Sequence, residues 1–184
     1  MTISPTHFPF KSDATTYSLN NAYWLARAAS IAYLEKSAIQ PAVANLGLES
    51  FEFLNKNDTE GFIAANGKII VVAFRGTEPM HLQDILADAR MHKVPGPLGE
   101  VHRGFLQAFE LVKDDMFGAI ERWRDRNQPQ SLWCTGHSLG AALAVIAVAH
   151  LLLNGQTVDG LYNFGQPHVG TETFAAEFDR HFSG

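Results

Sequence analysis

Gly136-His137-Ser138-Leu139-Gly140 sets a serine between two glycines, after the β-rich "SLWCT" and before the apolar "AALAVIAVAHLLL". Strand, sharp turn and helix, in that order, are the setting in which G-x-S-x-G presents a nucleophile. The glycines are needed for steric reasons, because side chains two positions before and after the serine would collide with neighbouring elements. Free N–H groups and the positive dipole end of the following helix face the serine, where negative charge develops during acyl transfer. The residues therefore predict Ser138 as a nucleophile exposed at the bend, with the Leu139 N–H as one oxyanion donor. Nothing favours His137 as its base, since a residue adjacent to the elbow serine points elsewhere.

A second donor is expected from "VVAFRGTEP", where a buried strand ends at Arg75-Gly76-Thr77. Open α/β sheets bind ligands at the carboxyl ends of their strands, which puts Thr77 on the rim beside the elbow. An equally good account of these residues is a strand-terminal turn in which Arg75 makes structural ion pairs. Bases are harder to find. His150 lies twelve residues along the elbow helix, about 18 Å from Ser138 at 1.5 Å per residue. Asp159 precedes its strand and falls at the edge opposite the elbow, whereas Asp179 and His181 look like the solvated face of the last helix. His168, after "YNFGQP" at a strand's carboxyl end, is the one remaining base candidate, but no acid is placed to orient it. His81 and His102 read as surface and loop residues.

The elements that must hold these groups alternate. "LNNAYWLARAASIAYLEKS" has apolar residues at helical spacing, with Asn20 or Asn21 available as a cap. "FEFL" and "GFIAANGKIIVVAFRG" read as strands, and Asn66-Gly67 signals a hairpin through a tight I′ turn. "KIIVVAF" is apolar throughout, as a strand covered on both faces should be. "HLQDILADARM" follows as an amphipathic helix, then "HKVPGPLGEVHRG" as an irregular loop. Helix 105–126, strand 131–135, helix 139–153, strand 160–164 and a final amphipathic helix complete the chain. Such alternation defines an α/β fold: a mixed, mostly parallel sheet flanked by helices, in a single domain over 1–184 with a poorly structured lead-in at 1–17.

With 184 residues, 46% hydrophobic and 18% charged, the chain suffices for one sizeable core. A net charge of −5 and the lack of a basic run give no footprint for nucleic acid or an anionic membrane. The single cysteine, Cys134, excludes an intramolecular disulfide. The polar, proline-broken N-terminus lacks the pattern of a signal peptide, so a cytoplasmic protein is expected.

"AFRGT", "VHRGF", "CTGHSLGAALA" and "YNFGQPHVG", in this order, strongly resemble the class 3 lipase family, the fungal-type triacylglycerol lipases of the α/β-hydrolase fold. The resemblance covers the chain from about Leu19 onward. It implies Ser138 as nucleophile, Thr77 and Leu139 as the oxyanion hole, and the elbow glycines Gly136 and Gly140. It also implies a lid-like helix at 78–90 whose apolar side is Met80, Leu82, Ile85 and Leu86. In the family the triad acid and histidine come later than "GQPHVG", and neither matches a residue here. The domain is therefore expected to be C-terminally incomplete, with acid and base supplied beyond Gly184 or by another chain. The expected activity is hydrolysis of acylglycerol-type lipid esters at a lipid–water interface, with no metal or organic cofactor. Alternatives are a non-catalytic remnant that binds lipid or a partner, and a phospholipase or feruloyl esterase of the same fold.

Overall fold

The computed structural model describes residues 10–76, 92–124 and 130–182. Helix α1 (Leu19–Ile31) and α2 (Lys36–Ala44) precede the antiparallel strands β1 (Ser50–Lys56), β2 (Thr59–Ala65) and β3 (Ile69–Phe74). A two-stranded ribbon follows, β4 (Lys93–Gly96) with β5 (Gly99–His102), and then the long helix α3 (Arg103–Trp123). Strand β6 (Ser131–His137), helix α4 (Leu139–Leu153), strand β7 (Gly160–Phe164) and helix α5 (Glu172–His181) complete the order. The main sheet runs β1-β2-β3-β6-β7. The β3–β6 and β6–β7 pairings are parallel, which makes the sheet mixed.

Strand periodicity divides the core between two faces. Phe62, Ala64, Val71, Ala73 and Trp133 point toward α1 and α2, where they meet Leu25, Ala28, Ile39 and Val43. Ile63, Ile70, Val72, Phe74, Leu132 and Cys134 point the other way, against Phe105, Phe109, Val112 and Met116 of α3 and the alanine-rich α4. Helices on both faces account for the unbroken apolar run of β3, all of whose residues are buried. Helix α4 is buried from Gly140 to Ala149, so it is apolar on every side rather than amphipathic.

Several local expectations need correction. Ser18, not Asn20 or Asn21, caps α1, its hydroxyl accepting the Asn21 N–H at 3.4 Å. Asn21 instead exchanges side-chain hydrogen bonds with the backbone of Lys11, at 2.8 and 2.9 Å, and so ties down the lead-in. The Asn66-Gly67 hairpin forms, but without the positive φ pair of a I′ turn. There the Asn66 side chain accepts the Lys68 and Ile69 N–H groups at 2.9 and 3.1 Å, stabilising a wider loop. The positive φ pair occurs at Asn57 (46°) and Asp58 (63°), between β1 and β2. The stretch read as irregular is the β4–β5 ribbon, turned at Pro97-Leu98 and continued through Gly99 at φ +136°. A Cβ at Gly99 would lie 3.1 Å from the Phe174 backbone, so the glycine permits both the turn and the approach of α5. Strand β7, read as an inner strand, is the sheet's edge among the described residues, and most of it is half-buried.

Candidate functional site

The site is built where β3, β6 and α4 converge. Ser138 has φ 56° and ψ −124°, a left-handed conformation at the bend between β6 and α4. For a non-glycine residue such a conformation costs about 1–3 kcal/mol and persists only where the surroundings enforce it. Here they do. A Cβ on Gly136 would sit inside the backbone of Gly140 and 2.6 Å from the Ala141 nitrogen. A Cβ on Gly140 would sit 2.8 Å from the Arg75 carbonyl carbon and closer still to the Phe74 oxygen. The glycines thus let β6, α4 and the tip of β3 touch backbone to backbone. The Ser138 N–H donates to the Phe164 carbonyl at the end of β7, 2.9 Å away.

The Arg75-Gly76 tip of β3 lies against the elbow, as expected: a Cβ on Gly76 would be 3.3 Å from that of Ser138. Arg75 also makes the structural ion pair of the alternative account, to Glu60 at 2.7 Å, and its N–H donates to the Glu60 carbonyl at 2.9 Å. The exposed hydroxyl, by contrast, is not observed. Ser138 is only 4% exposed, enclosed where the β3 tip and the end of β7 meet the bend. Its Oγ is buried and has no hydrogen-bond partner among the described residues. A buried hydroxyl left unmatched costs about 1–3 kcal/mol.

Among the described residues, no histidine bonds the Ser138 hydroxyl. The His137 ring turns to Tyr33, Nδ1 lying 2.9 Å from the Tyr33 hydroxyl. Exposed His168 lines a cavity of about 380 Å³ beside α5 with Leu161, Phe174, Phe178 and Asp179, a cavity whose lining excludes Ser138. His102 caps α3, Nδ1 accepting the Phe105 N–H at 3.4 Å. His150 stacks on Phe109 with ring centroids 5.1 Å apart, and its pKa is lowered from 6.5 by burial and, to a smaller degree, by the charge of Lys113, with Glu110 opposing both. The Asp159 carboxylate accepts the Leu132 N–H at 2.7 Å, at the far end of the sheet. Thr77, His81 and the lid residues Met80, Leu82, Ile85 and Leu86 lie outside the described residues.

What sequence reasoning missed is Tyr33. Neither its spacing nor its neighbours signal a residue that meets His137 across 104 positions. An apolar helix end followed by a tyrosine is too common to single out.

A strained serine between a parallel strand and a buried helix, framed by two obligatory glycines, is the strand–turn–helix arrangement found in α/β-hydrolase folds. The family model for lipase (class 3) matches residues 71–184, and the chain belongs to that family. It is 33% identical over 135 residues to the secreted mono- and diacylglycerol lipase A of Penicillium cyclopium, covering 68% of this chain and 43% of that protein. With the secreted mono- and diacylglycerol lipase 1 of Fusarium solani it shares 41% identity over 75 residues, 41% of this chain and 22% of the relative. The chain therefore spans less than half the length of either relative. Among solved structures, Penicillium cyclopium MDLA in a mutant form superposes with a TM-score of 0.70 at 25% identity, over 91% of this chain and 70% of that one. The triacylglyceride lipase of Rhizomucor miehei has the same fold, with a TM-score of 0.71 at 22% identity, over 89% and 67% of the two chains.

These relatives overturn the expected cytoplasmic location, since several are named as secreted proteins. The lone cysteine does not decide the compartment either. Cys134 is buried, and a single thiol enclosed in a core is compatible with oxidising and reducing compartments alike.

Proposed function

We propose that this chain carries the nucleophile of a secreted serine hydrolase that cleaves acylglycerol-type lipid esters. The observation that carries it is the Ser138 hydroxyl: held at a positive φ, buried, unmatched, and set at the N-terminus of α4 beside the tip of β3. In this reading Oγ attacks the ester carbonyl carbon while a base takes its proton. The carbonyl oxygen becomes an oxyanion held by the N–H groups of Leu139 and Thr77. The carbon–oxygen ester bond then breaks, the alcohol leaves with a proton, and water cleaves the acyl-serine to release the fatty acid. Since Oγ has no partner among the described residues, the base and its orienting acid come from outside them. Met80, Leu82, Ile85 and Leu86 are assigned to a lid that shields the acyl chain from water. The named activities of the Penicillium and Fusarium relatives support the choice of substrate.

Ser138→Ala tests this in the full chain. Hydrolysis of p-nitrophenyl butyrate is expected to fall by a factor on the order of 10⁴–10⁶, and a fluorophosphonate probe is expected to label the wild-type chain at Ser138 alone. Undiminished turnover in the variant, or a wild-type chain that resists the probe, rejects the reading.

A further inference from the structure

Tyr33 stands just past the end of α1, its N–H donating to the Ser30 carbonyl at 3.2 Å, and its ring reaches the rim where β3 and β6 terminate. Three observations converge on its hydroxyl. It lies 2.9 Å from His137 Nδ1 and donates toward the His137 carbonyl oxygen at 3.4 Å. The Arg75 guanidinium carbon sits 5.8 Å from the centre of its ring. A Cβ built on Gly76 would collide with the Tyr33 oxygen and with the His137 carbonyl. The hydroxyl therefore occupies the space a side chain on Gly76 would need, wedged between the tip of β3 and the last residue of β6.

Geometry at this wedge matters to the reaction. The next peptide after Gly76 carries the Thr77 N–H, and the residue after His137 is Ser138. The contact thus joins the residue that precedes the assigned oxyanion donor to the residue that precedes the assigned nucleophile. On its outer side the tip is held by the Glu60–Arg75 ion pair; on its inner side, Tyr33 and His137 fix it.

We infer that Tyr33 is a positioning residue for acyl transfer, acting through His137 to hold the oxyanion strand in register with the elbow; this rests on the hydrolase reading above. Misplacing a catalytic group by about 1 Å costs as much as 10²-fold in rate, and losing one oxyanion donor about 10²–10³-fold. A loosened donor should fall below those limits.

The test compares wild type, Tyr33→Phe, His137→Leu and the double variant in the full chain on p-nitrophenyl butyrate, with Ser138→Ala as control. Tyr33→Phe keeps the ring and its packing against Arg75. Each single change is expected to lower kcat about tenfold and leave KM within about twofold, because the donor acts in the transition state. The double variant is expected to be no slower than the worse single, since both changes break the same side-chain contact and Tyr33→Phe also removes the weaker bond to the His137 carbonyl. Amide exchange at Arg75 should quicken about tenfold in Tyr33→Phe, while Phe62 and Ile63 in β2 keep their wild-type rates. Additive losses, a kcat within about twofold of wild type, or faster exchange throughout β2 would overturn the proposal. Turnover surviving in Ser138→Ala sinks the hydrolase reading instead, and Arg75 exchange then decides the wedge alone.

Discussion

At their amino ends, β3 and β6 close on polar groups that answer one another. Asn66 accepts two loop N–H groups, the Ser131 N–H donates to the Lys68 carbonyl, and Leu132 and Asp159 exchange two hydrogen bonds. Beside them lies an open cavity of about 640 Å³ lined by Lys68, Arg124, Gln130 and Asp159 among others. At their carboxyl ends the same strands meet α4 backbone to backbone, with a left-handed serine and a hydroxyl that bonds nothing described. One end is relaxed and roomy, the other strained and tight. Strain of this kind persists only where surrounding structure enforces it, which is why the enforcing contacts, more than the serine itself, mark this end as the candidate site.

Substitutions of glycine break the comparison most sharply. Gly140→Ala drives a methyl group into the Phe74–Arg75 backbone, where no flexible side chain can yield. A loss of about 3 kcal/mol or more in unfolding free energy is expected by denaturant titration, together with loss of activity. A loss under about 1 kcal/mol would mean the carboxyl end is looser than its contacts imply.

Ser138→Gly separates strain from chemistry. Glycine adopts φ 56° freely, so relief of about 1–3 kcal/mol is offset by about 0.5–1 kcal/mol of added unfolded-chain entropy. A net gain of about 1 kcal/mol, read as a higher Tm in an inactive protein, is the expected result. A lower Tm would show that the conformation is unstrained.

The smallest effect belongs to the relaxed end. Gly67 has open space within 4 Å of where a Cβ would go and no positive φ. Gly67→Ala should leave activity unchanged and shift stability by no more than about +1 kcal/mol, through a less flexible unfolded chain. Clear destabilisation there would erase the contrast.

What could be read from sequence followed the range of the forces involved. The bounds of α4 and β7 emerge residue for residue from hydrophobic runs and turn signals: α4 is nearly all core, and β7 is a short, half-buried run set off by Gly160 and Gly165. The elbow is legible for the same reason, its glycines, strand and helix being contiguous. Asn66-Gly67 misled because dipeptide propensity ignores the side chain, which here bonds the loop in place of a I′ backbone. Helix α2 went unread because Pro41 lies inside it, and the β4–β5 ribbon because its prolines and glycines resemble a loop. The enclosure of Ser138 and its link through His137 to Tyr33 depend on contacts between distant segments, which no local pattern encodes.

Four residues before the elbow serine, on the strand that leads into it, sits Cys134, fully enclosed and with its thiol pushed up to about 12 by burial. Such a sulfur stays protonated and ignores alkylating reagents while the strand keeps its place. As the sole cysteine of the chain it amounts to a built-in gauge. Maleimide added to the folded protein will register only those moments when β6 comes out of the sheet, so the integrity of the scaffold beneath Ser138 can be timed without attaching any probe to the site.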